Sequence, residues 1–227
     1  MKHVVSFFIL ALLAALSASA QTNAPASVLA TGTASVSVTP DQAQINVSAV
    51  TQAATAQDAT SQNATIAANI IAQVTQALGG SGTVQTVNYS VSPTYTYPQN
   101  GTPILTGYTV TNSIQVTLND LTITGKIIDT AVQAGASRID SLSFSLKDDS
   151  SARAQALSAA TVKAKAKAVA MAASVGLTAG SFITIQESGA VVQTPTLTGT
   201  APVATTTPVQ VGTLTVTANV TISMTLM

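Results

Sequence analysis

From Leu214 to Leu226 apolar and polar residues alternate without a break, with Leu214, Val216, Ala218, Val220, Ile222, Met224 and Leu226 set against mostly Thr, Ser and Asn. A period of two sustained over that length is met by an extended strand with one face in a core and the other toward water. Such a strand needs a sheet, and shorter stretches of the same period supply one. Ala34 to Val38 alternates, and Ala43, Ile45, Val47 and Ala49 resume beyond a turn at Pro40-Asp41. Val87, Tyr89, Val91, Pro93 and Tyr95 fall on one side of a strand that becomes irregular at Pro93 and Pro98, with Asn100-Gly101 at the loop tip. Tyr108, Val110, Ile114, Val116 and Leu118 form the return strand, and Leu142, Phe144 and Leu146 and the stretch Phe182 to Gln186 read as two more.

Between these stretches the period changes to that of a helix. After Thr55, Ala59, Ile66, Ile70, Val74 and Ala77 share one face, and Gly79-Gly80 ends the helix. Asn119-Asp120 caps a second helix running to about Gln133 and closed by Gly135. Asp148, Asp149 and Ser150 offer caps for a long alanine-rich helix to Val175, on which Ala152, Ala156, Ala160, Ala164, Ala168 and Met171 make one stripe. Side chains that small let a helix lie close to a sheet. Residues 21–29 read as a linker, and the Thr, Pro, Val and Gly mixture from Gly189 to Thr207 as a flexible surface loop. The order is β-β-α-β-β-α-β-α-β-β, with a β-α-β-α-β core in the second half. The fold class is α+β, mainly antiparallel sheet in two lobes within residues 30–227, covered by helices on one face.

The first twenty residues have the form of a signal peptide: Lys2 and His3, an apolar run from Val4 to Leu16, then Ala18-Ser19-Ala20. Cleavage is expected after Ala20, and the apolar run is too short to span a bilayer. No transmembrane helix is expected in the mature chain, which points to the periplasm or to peripheral association with the outer membrane. Cysteine is absent, so in an oxidising compartment the fold must be held by packing alone. Only 7% of residues are charged, and eight basic residues balance eight acidic ones. That balance offers nothing to nucleic acid and little repulsion against self-association, so a homo-oligomer is expected.

The same composition removes most catalysis. The one histidine, His3, belongs to the leader, so the mature chain lacks both His and Cys for nucleophilic, general-base or soft-metal chemistry. Lys163, Lys165 and Lys167 have no serine three residues before them, which excludes an S-x-x-K pair, and Glu187 is the sole glutamate. No enzyme activity, cofactor or metal is expected. Asp148 and Asp149 could hold a hard cation, though their place before a helix favours capping. Lys163 and Lys167, with Arg153 nearby, make a small patch that reads as a solvated face. Gly79-Gly80-Ser81-Gly82 follows a helix instead of opening one, so it is a turn and not a phosphate loop. All four tyrosines, Tyr89, Tyr95, Tyr97 and Tyr108, cluster around one hairpin and form the candidate contact surface, for a subunit or for a ligand.

Several marks, in order, resemble the SIMPL domain family, a family of unknown function that includes periplasmic immunogenic proteins and a mammalian protein that binds an interleukin-receptor kinase. They are Gly32 with Val36, Val38 and Pro40-Asp41; Thr86, Tyr89, Val91, Pro93 and Tyr95; Gly107-Tyr108 with Asn112; Gly125, Ile128-Asp129 and Gly135-Ala136; Phe144 and Leu146; Lys165 and Lys167; Gly176-Leu177; and Gly212. The resemblance covers nearly all of the chain beyond the leader. It implies an α+β fold in the cell envelope, ring-like self-assembly in some relatives, and links to stress tolerance and antigenicity. It implies no catalytic site. The helix from Thr55 to Leu78 departs from the family in carrying Gln, Asn and Thr where charges are usual, which argues against partner surfaces built on charge.

Overall fold

The computed structural model describes residues 25–99, 101–193 and 207–227, so the expected leader at 1–20 and most of the expected 189–207 loop lie outside the described residues. The elements follow in the expected order: β1 Ser27–Val38, β2 Gln42–Ala53, α1 Ala56–Leu78, β3 Gly82–Thr96, β4 Ile104–Leu118, α2 Thr124–Gln133, β5 Arg138–Ser145, α3 Ser150–Ser174, β6 Ala179–Gln193 and β7 Leu214–Leu226. A single 3-10 turn, Leu121–Ile123, leads into α2. The strands form two antiparallel sheets, one in the order β1-β7-β6 and the other β3-β4-β2-β5. The α+β class with two helix-covered lobes therefore holds, but the second half of the chain is not one β-α-β-α-β core. Strands β4 and β5 serve the four-stranded sheet, whereas β6 crosses to the other.

Each sheet has its own core. In the four-stranded sheet Ile45, Val47, Ile114 and Val116 meet Ile70 and Val74 of α1 and Ile127 of α2. Thr55 caps α1, its hydroxyl accepting the Asp58 N–H at 3.1 Å, and Gly79 ends the helix in the left-handed region at φ 55°. In the three-stranded sheet α3 packs against β1 and β7 through Ala152, Ala156, Ala160, Ala164, Ala168 and Ala172. The stripe thus closes on Ala172, while Met171 is 44% exposed. Residues four apart form a straight ridge inclined to the helix axis, and a ridge begun at Ala152 reaches Ala172 and not Met171.

Gly32 explains how closely that ridge approaches. A Cβ built on it would stand 2.9 Å from the Ala164 Cα and nearer still to the Ala160 carbonyl oxygen and the Ala164 nitrogen. Only a strand residue without a side chain lets the helix backbone come this near. Where the chain passes between lobes, Asp41 joins the two crossings: its carboxylate accepts the Lys147 N–H at 2.7 Å, and its own N–H donates to the Ser145 carbonyl at 3.2 Å.

Three boundaries differ from the sequence reading. Strand β1 begins at Ser27, ahead of the alternation that starts at Ala34, because β7 runs on to Leu226 and gives Ser27, Val28 and Leu29 partners, Ser27 lying opposite Thr225. Strand β6 continues through Gly189 to Gln193, so the first part of the expected 189–207 loop is sheet. Three register shifts in its pairing with β7 break the alternation that would have marked it. In β3 a bulge between Thr86 and Asn88 leaves Val87 without a partner in the ladder, so the row from Tyr89 does not extend to it.

Candidate functional site

Three of the four tyrosines share one sheet face. Opposite β3, Asn112, Val110 and Tyr108 of β4 pair with Tyr89, Val91 and Pro93, and Val110 and Asn112 are buried beneath α1. Tyr89, Val91, Pro93, Tyr95 and Tyr108 therefore lie on the helix side of the sheet. The helix does not cover them: α1 lies over β2, β4 and the start of β3, where Val84 packs against the core, and every β3 residue from Gln85 to Thr96 is exposed. Strand β2 stops at Ala53, opposite Tyr108, so the hairpin beyond that pair projects as two strands alone. Tyr89 is 48% and Tyr95 45% exposed, and Tyr97, just past the strand, is 74% exposed. Val91, Ile104 and Leu105 add aliphatic surface. A hollow of about 250 Å³ at the hairpin root is lined by Gln52, Ala53, Thr94, Thr106, Gly107 and Tyr108. Gly107 is required there, since a Cβ on it would lie 2.7 Å from the Ala53 carbonyl oxygen.

The opposite face of this sheet is polar and bonded to itself. Gln85 donates to Gln115 (2.9 Å), Gln115 to Asn46 (3.3 Å) and Asn46 to Ser141 (2.9 Å), a chain of side chains across all four strands. Next to it Ser48 donates to Asp140 at 2.5 Å and lies 3.0 Å from Ser113, while Arg138 pairs with Asp140. Burial pushes the Asp140 carboxyl up, but the bonds from Ser48 and Arg138 and the guanidinium charge outweigh it and hold the group below its ordinary value. The sequence reading missed this cluster, because Ser48, Ser113 and Asp140 stand far apart in the chain and meet only through strand register. Its bonds tie β2 to β4 and β5.

The other candidate residues are accounted for locally. Asp148 accepts the Ser150 N–H at 2.9 Å, and the Ser150 hydroxyl and N–H hold its carboxyl below the usual range. Asp149 stands at the N-cap of α3 without a side-chain capping bond and instead pairs with Arg153 at 2.7 Å, one turn on. The two carboxylates thus turn to different partners. Lys163 and Lys167 are exposed on α3, and Lys165 stands 6.0 Å over the Phe182 ring of β6. Among the described residues no group of three or more Asp, Glu, His or Cys could hold a metal ion. A hollow of about 480 Å³ lies between the Leu121–Ile123 turn and the returning chain at Thr207, with Lys126 its one charged lining residue.

The fold is thus an α+β pair of antiparallel sheets, each with its own helical cover, and among the described residues two sheet edges, β3 and β6, expose apolar side chains. The chain belongs to the SIMPL family, described as a protein of unknown function (DUF541), whose sequence profile matches residues 28–224. It is also similar to the 26 kDa periplasmic immunogenic proteins of Brucella melitensis biotype 1 and Brucella abortus strain S19. Each match is 29% identical over 121 residues, 52% of this chain and 48% of the relative. The matched part of the chain spans about half the length of those relatives.

Four of the family marks have plain structural reasons. Gly32 admits α3; Gly125 leaves room for the Thr207 carbonyl; Asp129 accepts the Thr207 hydroxyl at 2.5 Å; and Gly135 turns the chain at φ 108°. Asn112 is different. It is buried, and its Oδ1 has no hydrogen-bond partner, as is also true of Oδ1 of Asn63 on α1. Asn63 holds its helix to the sheet by donating to the Ala49 carbonyl at 2.9 Å, and Ala49 is the residue opposite Asn112.

Proposed function

We propose that the chain is an exported cell-envelope protein, periplasmic or held at the outer membrane, that works through self-association and carries no catalytic activity. The observation that supports this most directly is β3. It is a sheet edge of 15 residues without a charged side chain, and it presents Tyr89, Val91 and Tyr95 uncovered. Natural edge strands are guarded by charge, cover or brevity because free ladder groups recruit another strand. Export is supported by the leader pattern and by the periplasmic names of the relatives. The lack of catalysis is supported by the absence of His and Cys beyond the leader.

A second reading is a binding module for a small molecule or peptide, favoured by the hollow at the hairpin root beside Tyr108. At about 250 Å³ it falls below the roughly 300–1,000 Å³ of most ligand pockets, so the contact surface is the better reading. Light scattering after size exclusion on residues 21–227, without detergent, separates the two. A discrete multimer that keeps its mass on dilution is expected. A monomer at every concentration overturns self-association and moves the weight to the hollow, where a tyrosine-fluorescence titration reads ligand.

A further inference from the structure

We propose that two copies of the chain join edge to edge through β3, antiparallel about a two-fold axis near Ser90, so that two four-stranded sheets become one of eight strands. This rests on the self-association reading and names its surface and symmetry.

The four sheet edges are not equivalent. Strand β5 is guarded by Arg138 and Asp140, and β6 by Glu187 and three register shifts. Strand β1 has no charge, but α3 covers one of its faces, and Thr31, Thr33 and Ser35 on the other are already bonded to Thr221, Asn219 and Thr217 of β7. Strand β6 exposes Phe182, Ile183, Ile185 and Val191 beside its one charge, and β1 exposes Leu29; among the described edges β3 is the one that joins freedom from charge to a row of uncovered apolar side chains, Tyr89, Val91 and Tyr95. Its local guards are the bulge at Val87, Pro93, which has no N–H to give, and a second register shift between Thr94 and Tyr95. Between the bulge and Pro93, Asn88 to Ser92 is a regular, open window centred on Ser90.

Pairing about Ser90 sets each residue opposite the one equally far on the other side of Ser90, and β3 brings no charge to the seam. With the axis at Ser90, Tyr89 of one copy stands opposite Val91 of the other, and the reverse. Aromatic residues opposite β-branched ones are among the pairs that stabilise sheets. The faces also agree. An antiparallel two-fold perpendicular to the sheet keeps both tyrosine faces on the same side, where they fill the space between one α1 and the next. Tyr89 and Val91 at the seam, with Tyr95 beyond them, supply uncovered apolar surface on that side.

Because the chain has no cysteine, single cysteines report this geometry without interference. Asn88, Ser90 and Ser92 are exposed on the face away from the tyrosines. Under mild oxidation Ser90→Cys is expected to give a disulfide-linked dimer. Asn88→Cys alone and Ser92→Cys alone give little, since their own copies stand about 13 Å apart at ~3.3 Å per residue, beyond disulfide reach. Mixing those two variants restores the cross-link. Val91→Lys, a change at an exposed position, is expected to halve the mass of the assembly by light scattering with the circular dichroism unchanged.

An assembly in which a β3 cysteine links only to Gln186→Cys on β6, with no β3 cysteine linking to its own copy, overturns the two-fold pairing and leaves self-association standing. A wild-type chain that is monomeric at every concentration overturns both. Retention of the full assembly mass by Val91→Lys also overturns the pairing.

Discussion

Replacing Gly32 by alanine adds one methyl group, and the structure sets the cost. The new Cβ would stand 2.9 Å from the Ala164 Cα, about half an ångström inside ordinary contact, and closer to the Ala160 carbonyl oxygen and the Ala164 nitrogen. All three are helix backbone, which cannot turn aside as a side chain can, so α3 must retreat from β1 as a body. A gap of 0.5–1 Å forfeits roughly a quarter to a half of each dispersion contact, and the six-alanine ridge has no longer side chains to refill it. Overpacking of this kind costs about 1–3 kcal/mol, and the rigid neighbours place it at the upper end. Alanine also narrows the unfolded ensemble, which offsets about 0.4–1 kcal/mol. The steric effect wins, and the net loss is about 2 kcal/mol, a fall in Tm of roughly 4–8 °C for a chain of this size. Urea denaturation followed by circular dichroism is the assay, with the midpoint lowered and the slope unchanged. A variant as stable as the wild type refutes the close approach. Rescue by Ala160→Gly refutes it too, because removing the Ala160 methyl leaves the offending backbone in place.

Asp140→Asn is expected to destabilise the chain at neutral pH. Since the folded carboxyl titrates below its unfolded value, that stabilisation is complete above the unfolded pKa of about 3.9 and disappears as pH falls through the folded value; the gap between variant and wild type in urea midpoint should therefore narrow in acid, and a gap that does not narrow contradicts the reading. Asn63→Ala removes the bond to the Ala49 carbonyl and is expected to cost about 1–3 kcal/mol. Asn112→Val removes a buried oxygen that has no partner and is expected to be neutral or stabilising by up to about 1 kcal/mol, so an equal loss in both variants points to a bridging water between the two amides.

Local pattern carried much of this fold because the period of a segment is a property of its own side chains. Leu214 to Leu226, the α1 stripe and the alanine ridge each report one face against another, and Gly79, Gly135 and Gly176 mark ends because each takes a left-handed φ that costs other residues strain. Period says which face is buried but not which strand lies alongside. Nothing in Ser27–Val38 announces that it pairs with Leu214–Leu226 at the far end of the chain, or that β2 sits between β4 and β5. For the same reason β6 was legible only up to its bulges, and the Ser48, Ser113 and Asp140 cluster not at all.

The candidate surface stands between these cases. Four tyrosines within twenty residues could be read directly from the sequence, but their exposure depends on β3 being an edge that α1 covers only at its start, which is a fact of sheet order. Asn63 occupied a buried position of the α1 stripe all along, between Ala59 and Ala67, where an amide among alanines was the available sign of a polar contact beneath the helix. A chain with so few charges leaves its interactions to strand register and small-residue contact, and both are long-range. The features that most bear on function here, an open edge and a face left bare, come from which strands are neighbours and not from any residue type.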